Sequence, residues 1–191
     1  FYRDCNGVAA PTNCNNGLAF NYRSTTCNAN VNSCFAFESV QVITPICPSE
    51  TDRCTSASGV YGVEKYTFSK IINLTQWAGC GTDWVISWEL CCRNNAITSL
   101  QNPGNQSLFL DARLNNTVTP CNNSPQFLNN PTPFYCLGQS VSYNPGASDP
   151  DGDQLQYALI AARGAGGANL TYNGAYSAAQ PIVNTGGANA V

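Results

Sequence analysis

Eleven cysteines and one run of alternating aspartates hold most of the chemistry this 191-residue sequence can offer. Thiols in such number cross-link, ligate a metal or carry redox chemistry. Zinc frameworks rest on paired CxxC motifs or on added histidine, and the chain has neither. The reading is structural disulfides, and with it an oxidising compartment: periplasm, cell surface or medium. Sequence proximity suggests local bridges. Cys47 with Cys54, around a six-residue turn-like interval, is the foremost expectation, and Cys121 with Cys136 would pin the ends of a proline-rich stretch. Cys5 with Cys14 and Cys27 with Cys34 are local pairs of the same kind. Cys91 and Cys92 point to opposite faces of a regular strand, so they are expected to take different partners, Cys80 being one of them. The odd total leaves one cysteine free, paired between molecules, or paired outside these residues.

Asp149, Asp151 and Asp153 place three carboxylates at alternate positions, with Gly152 to allow a tight turn. Such a set suits a hard cation, and Ca2+ is the expected cofactor; a solvated acidic turn is the other reading. The pattern is not an EF-hand, because the glycine falls early and Ile160 stands where the terminal Glu belongs. Catalysis has little to build on. Without histidine, Ser-His-Asp and Cys-His arrangements are excluded, and Glu38, Glu50, Glu64 and Glu89 are isolated. Trp77, Trp84 and Trp88 would make a sugar platform if exposed on a flat face. At alternate spacing beside Ile86 and Leu90, Trp84 and Trp88 read first as core.

These groups sit in a chain that is only 10% charged, against roughly 25% in ordinary globular proteins. Asn, Ser, Thr and Gln must therefore carry the polar surface. Eight scattered basic residues and a net charge of −3 give no footprint for nucleic acid or an anionic membrane. The longest apolar run, Tyr157 to Ala162, is far short of the roughly 20 residues of a membrane helix. No leader segment and no methionine are present, so the chain is expected to be processed or a fragment.

Short alternating runs separated by turn residues predict an all-β sandwich or barrel. In Trp84 to Cys92, Trp84, Ile86, Trp88 and Leu90 share one face and Val85, Ser87 and Glu89 the other. In Ser107 to Leu114, Leu108, Leu110, Ala112 and Leu114 are expected inward, and Phe109, Asp111 and Arg113 outward. Further strands are expected at Ala19 to Arg23, Phe35 to Thr44, Tyr61 to Leu74 and Gln154 to Ala162, and no helix. Turn and proline residues near 122–138 suggest a boundary, giving a disulfide-stapled domain over 1–130 and a second over 131–191. The second has too few strands to close a sandwich, so it is expected to be incomplete.

Several segments resemble the large secreted surface proteins of Bacteroidota, including gliding-motility-associated adhesins. They are Tyr2-Arg3-Asp4-Cys5-Asn6-Gly7, Cys91-Cys92-Arg93-Asn94 with Ile97, Ser124-Pro125-Gln126-Phe127, Pro133-Phe134-Tyr135-Cys136, and Tyr143 to Asp153. The last also resembles the start of cadherin-like and PKD-like repeats, where an Asp run accompanies calcium at domain junctions. The resemblance implies cell-surface export and tandem immunoglobulin-like modules. The first domain would then be an Ig-like β-sandwich and the second a truncated cadherin/PKD-like one. It implies no enzymatic activity. The leading expectation is a structural or adhesive module that meets other surface modules or copies of itself, and the alternative is a carbohydrate-binding module. Neither nucleic acid nor membrane insertion is expected.

Overall fold

A computed structural model describes residues 1–47, 49–118, 122–130 and 144–181, and these form an all-β architecture. The described strands are β1 (Tyr2–Asp4), β2 (Ala19–Ser24), β3 (Ala29–Cys34), β4 (Ala36–Val42), β5 (Val63–Ser69), β6 (Trp84–Leu90), β7 (Leu108–Leu114), β8 (Gln126–Phe127) and β9 (Ala147–Ser148). Single 3-10 turns at Thr75–Trp77, Pro103–Asn105 and Ala165–Gly167 are the helical segments among the described residues. Of these, none is long and apolar enough to cross a membrane.

The chain divides into two compact units whose segments interleave. One comprises Phe1–Ala19, Cys34–Asn73 and Asn129–Pro145, and the other Phe20–Ser33, Leu74–Leu128 and Gly146–Val191. The domain start expected at residue 131 lies outside the described residues.

The first unit holds an antiparallel sheet in the order β1-β5-β4. Register sets Phe37 opposite Phe68, Val40 opposite Tyr66 and Val42 opposite Glu64, with a bulge between Phe37 and Ser39. Phe37, Tyr66 and Phe68 therefore share a face, with ring centroids 5.9 to 6.4 Å apart. Among the described residues, β5 is half-buried from Val63 to Phe68 while β4 is left uncovered. Every residue of β4 is exposed, Phe37 at 56%, and among the unit's described residues Ala10, Pro11 and Leu18 are buried apolar positions. Covalent links take over where the core is thin. Cys5–Cys54 ties the end of β1 to the turn before β5, and Cys14–Cys34 closes the chain around β2 and β3. Gly62 is required beside the first link, since a Cβ there would lie 2.5 Å from the Sγ of Cys54.

The second unit holds the sheet β3-β2-β6-β7 and the short pair β8-β9. Phe20 faces Trp88, Tyr22 faces Ile86, and Trp84 faces Leu114, so the alternating residues of β2, β6 and β7 meet on one side. Trp84 is 1% exposed and is the largest fully buried side chain among the described residues, where Phe20, Ala29 and Leu100 are the unit's other buried hydrophobic side chains. Burying a side chain of this size is worth about 3 kcal/mol. Cys27–Cys80 fastens the β2–β3 turn to the approach to β6.

Three expectations need correction. First, three of the expected local cysteine pairs, Cys47–Cys54, Cys5–Cys14 and Cys27–Cys34, do not form. Cys54 bonds Cys5 and leaves Cys47 free and exposed; Cys14 bonds Cys34; Cys27 bonds Cys80. Strand pairing, not sequence distance, decides: β1 lies against β5 and β2 against β6, which carries cysteines 49 and 53 positions apart to Cα separations of 5.1 and 5.3 Å. Cys91 and Cys92 bond each other, because the chain leaves β6 after Leu90 and strand alternation no longer applies. Cys121 and Cys136 lie outside the described residues. Second, the faces of β7 are not divided as expected. Leu110 and Ala112 are exposed while Phe109 and Asp111 are half-buried, because β7 is the sheet edge and residues 163–167 cover its other side. Third, Gln154 to Ala162 is not a strand: Tyr157, Leu159 and Ile160 are exposed and unladdered. β1, β3, β8 and β9 are strands that the pattern reading lacked.

Candidate functional site

The acidic turn forms as a hydrogen-bonded loop. Asp149 Oδ1 accepts from the backbone N–H of Asp151 (2.8 Å) and of Asp153 (3.3 Å), and Gly152 takes the left-handed backbone the turn needs at φ 81°. Asp151 reaches across to Asn123, whose backbone N–H and side-chain amide donate to its two oxygens at 2.6 and 2.8 Å. Those bonds hold the Asp151 carboxyl below the usual range. They also brace the neighbouring β8–β9 pair, in which Gln126 faces Ser148. As placed, the carboxylates of Asp149 and Asp151 accept from N–H donors, and the three aspartates do not gather one oxygen each within 4.8 Å. The one such group among the described residues, Cys5, Cys54 and Glu64, contains two sulfurs already bonded to each other.

Trp77 and Trp84 form an aromatic cluster with Tyr22. Trp77 meets Trp84 edge-on at 5.2 Å, and Tyr22 stands 6.2 and 6.0 Å from the two rings. Trp84 is buried and Trp77 and Trp88 are half-buried, so the three make no exposed flat platform. The buried indole N–H of Trp84 has no acceptor among the described residues.

Polar positions that sequence reading missed lie around β7 and ahead of β6. Asp111 pairs with Arg163, whose guanidinium also stands 5.3 Å over the Phe109 ring. The Arg163 hydrogen bond lowers the Asp111 carboxyl, and the same bond raises the guanidinium. Arg93 donates to the carbonyls of Ser107 (3.1 Å) and Arg163 (2.8 Å), and Glu89 accepts from the Gly166 N–H at 3.0 Å. Beside this knot lies an open depression of about 290 Å³ lined by Gln101, Asn102, Gln106, Asn169 and Thr171. Its lining carries amides and a hydroxyl and no charge. Asp83, just before β6, accepts from the hydroxyls of Ser24 (2.6 Å) and Thr26 (2.7 Å) and from the backbone N–H of Thr25 (3.0 Å). Those two hydroxyls foremost hold it well below the usual carboxylate range. No local signal marks Asp83 in the sequence, because its partners lie 57 to 59 residues away. None of these clusters joins a nucleophile to a base, and each is explained by what it holds together. Compared with protein-family models, with curated proteins and with solved structures, the chain matches none.

Proposed function

We propose that this chain is a non-enzymatic structural or adhesive module of a secreted bacterial surface protein or extracellular filament, with Ig-like sandwich units of the kind seen in Bacteroidota surface proteins. The observation that carries the reading is β4. It is an edge strand among the described residues, exposed at all seven positions and continuous with the aromatic face of Phe37, Tyr66 and Phe68. Unpaired N–H and C=O groups beside exposed apolar side chains are a template for strand addition. The occupant proposed is a strand of a neighbouring copy or module. Long-range disulfides suit the same setting, an oxidising exterior where a thin core needs covalent support. Size-exclusion with light scattering across a concentration series tests it. The natural chain is expected to self-associate, and Phe37→Lys/Val40→Lys to stay monomeric with unchanged circular dichroism. A chain that is monomeric throughout sinks the self-assembly reading.

Calcium belongs to the proposal at Asp149, Asp151 and Asp153, where binding would require Asp151 to exchange its two bonds to Asn123 for the ion. A second reading, glycan binding, draws on the uncharged amide-lined depression at Gln101, Asn102, Gln106 and Asn169, since neutral polyols are recognised by such donors and acceptors. Calorimetric titration with neutral oligosaccharides, for the natural chain and Asn169→Ala, separates it from the first.

A further inference from the structure

Three of the described disulfides differ from the fourth in what they do for the fold. Cross-links spanning 49, 20 and 53 residues each restrict the unfolded chain. A bond between residues adjacent in sequence, Cys91–Cys92, closes no loop of consequence and restricts almost nothing. Stability therefore does not account for it. Exposure separates it too: both of its cysteines are exposed, whereas each of the other three bonds has at least one half-buried member. The backbone on either side is held without it. Leu90 pairs with Leu108, the Arg93 N–H donates to the Gln106 carbonyl at 2.9 Å, and the Arg93 guanidinium is fixed on Ser107 and Arg163. Opening this S–S bond releases no segment of chain.

We propose that Cys91–Cys92 is a thiol–disulfide exchange site whose substrate is a dithiol, a small molecule or a protein carrying two neighbouring cysteines. One donor thiolate attacks the Sγ of one cysteine, and the S–S bond breaks. The other Sγ leaves as a thiolate and takes up a proton. The second donor thiol then loses its proton and attacks the mixed disulfide. The donor departs as a disulfide and leaves Cys91 and Cys92 as two thiols. Two electrons and two protons have passed from donor to protein, and the reverse reaction restores the bond. The long-range cross-links stay closed because each has at least one half-buried cysteine and their opening would free 20 or more residues.

The test begins with Cys47 blocked by N-ethylmaleimide. The chain is then exposed to limiting dithiothreitol, quenched with iodoacetamide at intervals and mapped by peptide mass. Cys91 and Cys92 are expected to label roughly ten-fold or more ahead of Cys5, Cys14, Cys27, Cys34, Cys54 and Cys80, with far-ultraviolet circular dichroism unchanged. The reduced chain should then bind one phenylarsine oxide, which bridges paired thiols. Cys91→Ser/Cys92→Ser should keep the spectrum and melting temperature and lose both the fast labelling and the arsenical. Simultaneous labelling of all cysteines with loss of the spectrum would overturn the proposal. So would a map of the unreduced protein in which Cys91 and Cys92 are each bonded to distant cysteines.

Discussion

Asp83 organises the turn between β2 and β3 through Ser24, Thr25 and Thr26, close to the Cys27–Cys80 link. Its pKa is depressed in the folded protein and near 3.9 in the unfolded chain. The stabilisation it provides is therefore fully present above about pH 4 and is lost as pH falls through the folded value. Asp83→Asn is expected to lower the melting temperature at neutral pH, and the gap to the natural chain should narrow as the solution is acidified. A gap independent of pH would mean that the carboxylate charge contributes nothing. Trp84 presents the opposite situation, a buried group whose donor meets no acceptor among the described residues. Trp84→Ala should cost about 3–5 kcal/mol through cavity formation. Trp84→Phe should cost less than half of that, because it also removes an indole N–H whose missing partner costs about 1–3 kcal/mol. Denaturant titration of the two variants checks the order. Trp84 as core was legible in the sequence from its alternation with Ile86 and Trp88. Asp83 was not, since the donors it needs are brought to it only when β2 pairs with β6.

Among elements, β6 and β7 were readable from alternation, and the structure places them at Trp84–Leu90 and Leu108–Leu114 in full register. Alternation tells which residues share a face but not which face is covered. On edge strand β7, residues 163–167 decided that, through the Phe109 N–H bond to Arg163 and the Arg163–Asp111 pair. The same limit explains Gln154 to Ala162, whose alternation finds no neighbouring strand among the described residues. At the acidic turn that follows β9, the test of calcium is thermal. A ligand held at about 100 times its Kd adds roughly 2.7 kcal/mol to the native state. Calcium is expected to raise the melting temperature over chelator in the natural chain and not in Asp151→Asn. Coincident melts in all four conditions would leave the turn held by Asn123 and its own hydrogen bonds to Asp149, with no ion.

For the molecule as a whole, cross-links set the connectivity that sequence distance could not reveal. Non-reducing peptide mapping should recover Cys5–Cys54, Cys14–Cys34 and Cys27–Cys80, and mapping that returns Cys47–Cys54 would refute the strand pairing behind them. Replacing both members of Cys27–Cys80 with Ser should cost roughly 2–4 kcal/mol. The thinness of the core has a calorimetric consequence. Heat capacity rises on unfolding chiefly because apolar surface meets water, and among the described residues the buried hydrophobic side chains are Ala10, Leu18, Phe20, Ala29, Trp84 and Leu100. Much of the remaining aliphatic and aromatic surface, Ile71 and Tyr157 among it, is hydrated before unfolding begins. Scanning calorimetry should therefore give an increment below the usual 12–15 cal/mol/K per residue, roughly speaking. The stability curve would then be broad and shallow, so that free energy changes slowly with temperature and cold weakens the fold little more than warmth does.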